Sequence, residues 1–182
     1  MKRPGILFCS ATTGIALCAS TAAHATLVID TSCGVSSCAA GTDFFNDNAN
    51  RDVSTFTGTV GGHARDAVTV STVGNVDTGA GFATIKPTSG AMLTDLIFTP
   101  TDDTLFNDFS FRGQLASPGY TGTIDVTWTD SLGTSGTLTF NGVKGPDADF
   151  DGLGIISTDG EIPKSVAIST PGSESFKEFK QV

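Results

Sequence analysis

From residue 26 onward, apolar and polar side chains take turns in short runs. This is the period of a half-buried strand rather than that of a helix. The runs are TLVID (26–30), STFTGTV (54–60), DAVTVSTV (66–73), GFATIKP (81–87), MLTDLIFTP (92–100), NDFSFRGQL (107–115), GTIDVTWTD (122–130) and SGTLTFNG (135–142). In 107–115, Phe109 and Phe111 share a face with Gly113. In 122–130, Ile124, Val126 and Trp128 share one face, while Asp125, Thr127 and Thr129 share the other. Leu138 and Phe140 repeat the pattern in the next run. The runs 81–87 and 92–100 each end in a proline, which cannot donate to a sheet ladder and so closes a strand.

The turns between these runs carry their own chemistry. DSLGTS joins the seventh run to the eighth, and 122–142 reads as a β-hairpin with its aromatic face inward. LGIISTDGEIPKSVAIST (153–170) reads as a second hairpin, because Asp159-Gly160 suits a turn that needs positive φ at both central positions. ESFKEFKQV (174–182) is expected as a last strand, although Phe176, Phe179 and Val182 also have the spacing of a helical turn. The longest polar stretch, AAGTDFFNDNANRDV (39–53), is expected as a loop anchored by Phe44 and Phe45. About ten short strands without βα alternation predict an all-β chain: a single-domain antiparallel β-sandwich, jelly-roll-like, over residues 26–182.

Residues 1–25 do not fit that pattern. Lys2 and Arg3 precede an apolar stretch from Gly5 to Ala19, and Ala23-His24-Ala25 forms a small-x-small cleavage site. Together these predict a signal peptide cut after Ala25. Leu17 stands where a lipoprotein signal wants a small residue, so lipidation at Cys18 is not expected. The whole chain has a formal net charge of −9, and removing a leader that holds Lys2, Arg3 and no acid lowers it by two more. Such an excess repels phosphate backbones and anionic lipid heads, which argues against nucleic-acid binding and membrane docking. No second apolar run reaches spanning length, so no membrane insertion of the mature chain is expected. Cys9 and Cys18 lie in the leader. Cys33 and Cys38 remain, and in an oxidising compartment they read as a local disulfide. So small a ring adds little stability.

Candidate chemistry is sparse. In DADFDG (147–152), Asp147, Asp149 and Asp151 alternate ahead of Gly152, matching the first half of a calcium loop. Thr158 stands where a bidentate Glu would complete it, and the other reading is a solvated acidic turn. Asp43, Asn46, Asp47, Asn48 and Asp52 form a second oxygen-rich stretch, of a kind that more often folds into plain turns. There is no G-x-S-x-G elbow. His63, in GGHARD, reads as a surface residue. Two carboxylates in a cleft would make a glycan-active enzyme, but no positional signal picks out a pair. Tyr120, in the loop SPGYTG, is the candidate ring for stacking on a sugar, whereas Trp128 belongs to the apolar face of its strand.

The segments FNDFSFRGQL, GTIDVTWTDSLGTSGTLTF, ADFDGLGIISTDGEIPKSVAIST and SFKEFKQV occur in an order that resembles secreted bacterial β-sandwich proteins of the PEP-CTERM, exosortase-sorted kind. The resemblance covers residues 92–182 and the leader. It implies a jelly-roll-like domain exported to the envelope or extracellular matrix of a Gram-negative bacterium, secreted or at the cell surface, and it carries over no catalytic residue. The sequence departs from that group in lacking a sorting tail: no Pro-Glu-Pro motif, apolar helix and basic cluster follow the last strand. The function expected from all this is that of a non-enzymatic structural or binding protein, with extracellular polysaccharide or matrix proteins as partners. The alternatives are a carbohydrate-binding module and, behind it, a glycan-active enzyme.

Overall fold

The computed structural model describes residues 27–29, 44–46, 48–60, 67–79, 81–82, 84–101, 108–148, 151–157, 163–180 and 182. Within them lie thirteen strands: β1 (Leu27–Ile29), β2 (Phe44–Asn46), β3 (Val53–Val60), β4 (Ala67–Thr78), β5 (Gly81–Phe82), β6 (Thr84–Pro87), β7 (Asp95–Pro100), β8 (Asp108–Leu115), β9 (Thr121–Asp130), β10 (Ser135–Lys144), β11 (Asp151–Ser157), β12 (Pro163–Ser169) and β13 (Phe176–Lys180). Every strand pair is antiparallel. The all-β antiparallel class expected from the alternation is therefore the class of the fold.

The two layers belong to one continuous sheet with the order β1-β11-β8-β13-β6-β4-β7-β12-β9-β10, and β3, β2 and β5 branch from β4. β4 makes this possible. Its residues Val68–Val73 pair with β7, and its residues Val76–Thr78 pair with β6. Between the two stretches sits Gly74, with φ +93°, where the register against β3 also shifts. A side chain there would run into the Met92 carbonyl. Only glycine combines the positive φ with so close a backbone approach. The sheet thus folds over into a nearly closed, barrel-like sandwich.

Phenylalanine fills the space between the layers. Phe98 on β7 meets Phe109 on β8, a strand of the other layer, with ring centroids 5.0 Å apart. The chain of rings runs on through Phe111, Phe179 and Phe176, at 6.1, 5.5 and 4.4 Å. Phe44 closes edge-on to Phe98 at 6.1 Å. Around them Ile85, Leu96, Ile124, Val126, Val166 and Ile168 are fully buried. Each such side chain contributes about 1.5–3 kcal/mol by leaving water, and offset or tilted ring pairs add roughly 0.5–1.5 kcal/mol more.

Several expectations change. Residues 39–53 are not all loop: Phe44–Asn46 forms β2, and Phe44 is the anchor, buried against Phe98. The hairpin expected at 153–170 is not formed. β11 pairs with β1 and β8, whereas β12 pairs with β7 and β9, so the connection crosses between layers. Asp159-Gly160 lies outside the described residues. A turn signal reports local backbone freedom and does not say which strand the chain joins next. The hairpin expected at 122–142 does form, as β9 and β10. Residues 176–180 are a strand, and the helix-like spacing of Phe176 and Phe179 has a local cause. The β13 register against β8 shifts between Phe176 and Glu178, and the extra residue returns both rings to the core. Trp128 packs against the core from a half-buried position, its ring lying over Gly136 on the neighbouring strand.

Candidate functional site

The outward positions of the layer β3-β4-β7-β12-β9-β10 line up strand to strand. One row runs across all six strands: Thr55, Ser71, Ile97, Ala167, Thr127 and Thr137. A second runs Val73, Asp95, Ser169, Asp125 and Thr139. A third line lies beyond the first row, on the side away from the second, with Thr57, Thr69 and Thr99 on three strands and Ser165, Thr129 and Ser135 on the other three. Residues directly opposite each other share a face. With strands about 4.8 Å apart, the six-strand row is roughly 24 Å long. Threonine suits such a position because its branched side chain fits a pleated surface. In these rows the only charges are Asp95 and Asp125.

Hydrogen bonds tie the hydroxyls to one another. Thr127 and Thr137 share a hydrogen bond of 2.8 Å between their hydroxyls, and Thr129 and Ser135 share one of 2.9 Å. Thr139 Oγ1 donates to Asp125 Oδ1 at 2.6 Å, and Thr94 Oγ1 donates to Asp95 Oδ2 at 2.7 Å. A hydroxyl has one donor and two acceptor sites, so each hydroxyl pair keeps unused capacity facing solvent. Ile97, 43% exposed, sets an apolar spot in the middle of the polar field.

At one end of the molecule two residues picked out from the sequence come together. Tyr120 is 44% exposed, and its ring lies against Gly122. Its backbone carbonyl accepts from Gly145 N at 3.0 Å, which joins it to the turn holding Asp147, itself exposed. Ala148 N donates to Gly145 O at 3.3 Å, and the buried Gln114 fixes the turn by donating from Nε2 to Ala148 O at 2.7 Å. Asp151 enters β11 opposite Gly113. Asp149 lies outside the described residues, as do Cys33, Cys38, His63, Asp43, Asp47 and the leader. Among the described residues no group of three or more His, Cys, Asp or Glu is placed to hold a metal ion.

The second oxygen-rich stretch is a polar clamp on β4. Thr78 Oγ1 accepts from Asn50 N at 3.1 Å and donates to Asn48 O at 3.3 Å. Asn75 Nδ2 reaches Asp52 Oδ1 at 2.9 Å, and Asp52 N reaches Asp77 Oδ1 at 3.0 Å. Asn46 is buried and donates to Gly79 O at 2.7 Å.

The hydroxyl rows were half visible in the sequence. The outward set Asp125, Thr127 and Thr129 follows from alternation, but the alignment with Ser71, Ala167 and Ser169 depends on register between strands far apart in the chain. Comparison with protein-family models, with curated proteins and with solved structures finds no match for this chain.

Proposed function

We propose that the chain is an exported, non-enzymatic structural or binding protein of the bacterial envelope or extracellular matrix, and that its working surface is the hydroxyl-lined outer face. The carrying observation is the six-strand row from Thr55 to Thr137, broad, nearly uncharged and set on a rigid sheet. Hydroxyls and two carboxylates offer the donors and acceptors that a polyol chain needs, and Ile97 offers a spot for the CH face of a sugar. The chain's negative charge favours a neutral polysaccharide over an anionic one. The leader and the resemblance to exosortase-sorted proteins support export.

Affinity electrophoresis through gels cast with a neutral glucan such as dextran tests the reading. Retardation is expected for the wild type and loss of retardation for Thr69→Lys/Ser71→Lys, with unchanged circular dichroism. Retardation that survives the double variant overturns the face as the binding surface. The exposed ring of Tyr120 favours a second reading, a carbohydrate-binding module working from the loop end. That reading predicts loss of retardation in Tyr120→Ala instead.

A further inference from the structure

The sequence holds a single Asn-Gly pair, Asn141-Gly142. It falls where β10 is irregular. Asn141 lies opposite Thr123 and Val143 opposite Gly122, so Gly142 is the extra residue of a bulge and has no partner in the register. Its φ is +82°, and a Cβ placed there would meet nothing closer than Thr121 Cγ2 at 3.9 Å. Both residues of the pair are exposed.

The side chain of Asn141 is held at one atom. Thr123 Oγ1 donates to its Oδ1 at 3.3 Å, and its amide nitrogen donates to no described residue. Other described asparagines are tied down or crowded. Asn46 is buried and donates to Gly79 O. Asn50 Nδ2 donates to Asn48 O and to Thr78 Oγ1, and Asn75 Nδ2 donates to Asp52 Oδ1. Asn48 is exposed, but Ala49 follows it and brings a Cβ beside the peptide nitrogen.

We infer that Asn141 is a self-modification site, at which the folded protein converts its own amide into a carboxylate through the backbone nitrogen of Gly142. That nitrogen bonds to Asn141 Cγ as the Cγ–Nδ2 bond breaks. Ammonia leaves with the proton that the Gly142 nitrogen gives up, and a succinimide ring remains. Water then opens the ring. Attack at Cγ gives aspartate, and attack at the backbone carbonyl carbon gives isoaspartate, with the main chain routed through the side-chain carbons. Nothing is oxidised or reduced. The nucleophile and the amide belong to neighbouring residues, so no encounter is needed. Glycine leaves the approach open. The Thr123 hydroxyl faces the oxygen on which negative charge develops, as a donor to a forming oxyanion does. The product sets a new carboxylate on the outer face, one pair along from Asp125 and Thr139. This inference stands apart from the polysaccharide reading, since it needs only the bulge and its neighbours.

Incubation of the folded protein in mildly alkaline buffer, followed by trypsin digestion and mass spectrometry, tests it. Cleavage after Arg112 and Lys144 releases a peptide whose sole asparagine is Asn141. This peptide is expected to gain the amide-to-acid mass increment and to split into aspartate and isoaspartate forms. Conversion is expected to quicken as pH rises, because the Gly142 nitrogen attacks once its proton is removed. Asn141→Gln, whose longer side chain closes a larger and slower ring, is expected to stay unconverted. Thr123→Val keeps the shape and removes the hydroxyl, and is expected to convert more slowly with unchanged circular dichroism. An Asn141 that stays an amide in the folded protein overturns the inference, whether or not the urea-unfolded chain converts. So does an acid product free of isoaspartate, which marks direct hydrolysis by water. A Thr123→Val variant that converts at the wild-type rate overturns the part given to its hydroxyl.

Discussion

Gly74 shows how much can rest on a missing side chain. Its φ of +93° and its approach to the Met92 carbonyl let β4 leave one neighbour and take up another. Gly74→Ala adds both conformational strain and a collision with backbone, which cannot swing aside as a side chain would. A loss of about 2–4 kcal/mol is expected, the sum of a φ penalty and an overpacking penalty of ordinary size. Urea denaturation followed by circular dichroism measures it, and Gly90→Ala is the control. Gly90 has a similar φ of +84°, but a Cβ there meets nothing within 4 Å, so only the φ part should appear. At this scale the sequence was most legible. The inward sets Phe109/Phe111 and Ile124/Val126 are buried as alternation required. Trp128 was placed on the right face, but its half-exposed position over Gly136 depends on which residue faces it across the pair.

Among the elements, β13 is the informative one. Two phenylalanines three apart fall on opposite faces of a regular strand, yet both are fully buried. The extra residue between Phe176 and Glu178 resolves the conflict. Deleting Lys177 therefore removes the extra residue and leaves the two phenylalanines two apart, on one face of a regular strand, so both rings stay in the core. Phe176→Ala, by contrast, empties its place in the core and is expected to cost about 3–5 kcal/mol. Lys177→Ala, which keeps the count, should stay within about 0.5 kcal/mol of wild type. Thermal melts of the three variants show whether stability follows the buried rings or the bulge residue. The strands themselves were readable from alternation, but their partners were not. The Asp159-Gly160 signal suggested that 151–157 and 163–169 pair, and the chain instead carries them to different layers. Non-local pairing is decided by the common core, to which a turn motif is blind.

For the molecule as a whole, the two readings of the 147–152 turn differ in what calcium does. Asp147 is exposed, and the turn is already held by Gln114 and by the Tyr120 carbonyl. A ligand that binds only the folded state raises its stability. The plain-turn reading predicts superimposable thermal melts in chelator and in millimolar calcium. A rise in midpoint with calcium would restore Asp147, Asp149 and Asp151 as ligands. The candidate surface was the least legible feature of all. It exists only when six strands, drawn from residues 53–169, are set in register.

The passage of β4 from one layer into the other has a further consequence. Neither layer owns a complete set of strands, since the segment that borders β7 continues, past Gly74, into the segment that borders β6. Peeling one layer away would tear the shared strand and open the phenylalanine seam in the same step. The molecule should therefore melt all at once, without a half-unfolded stage.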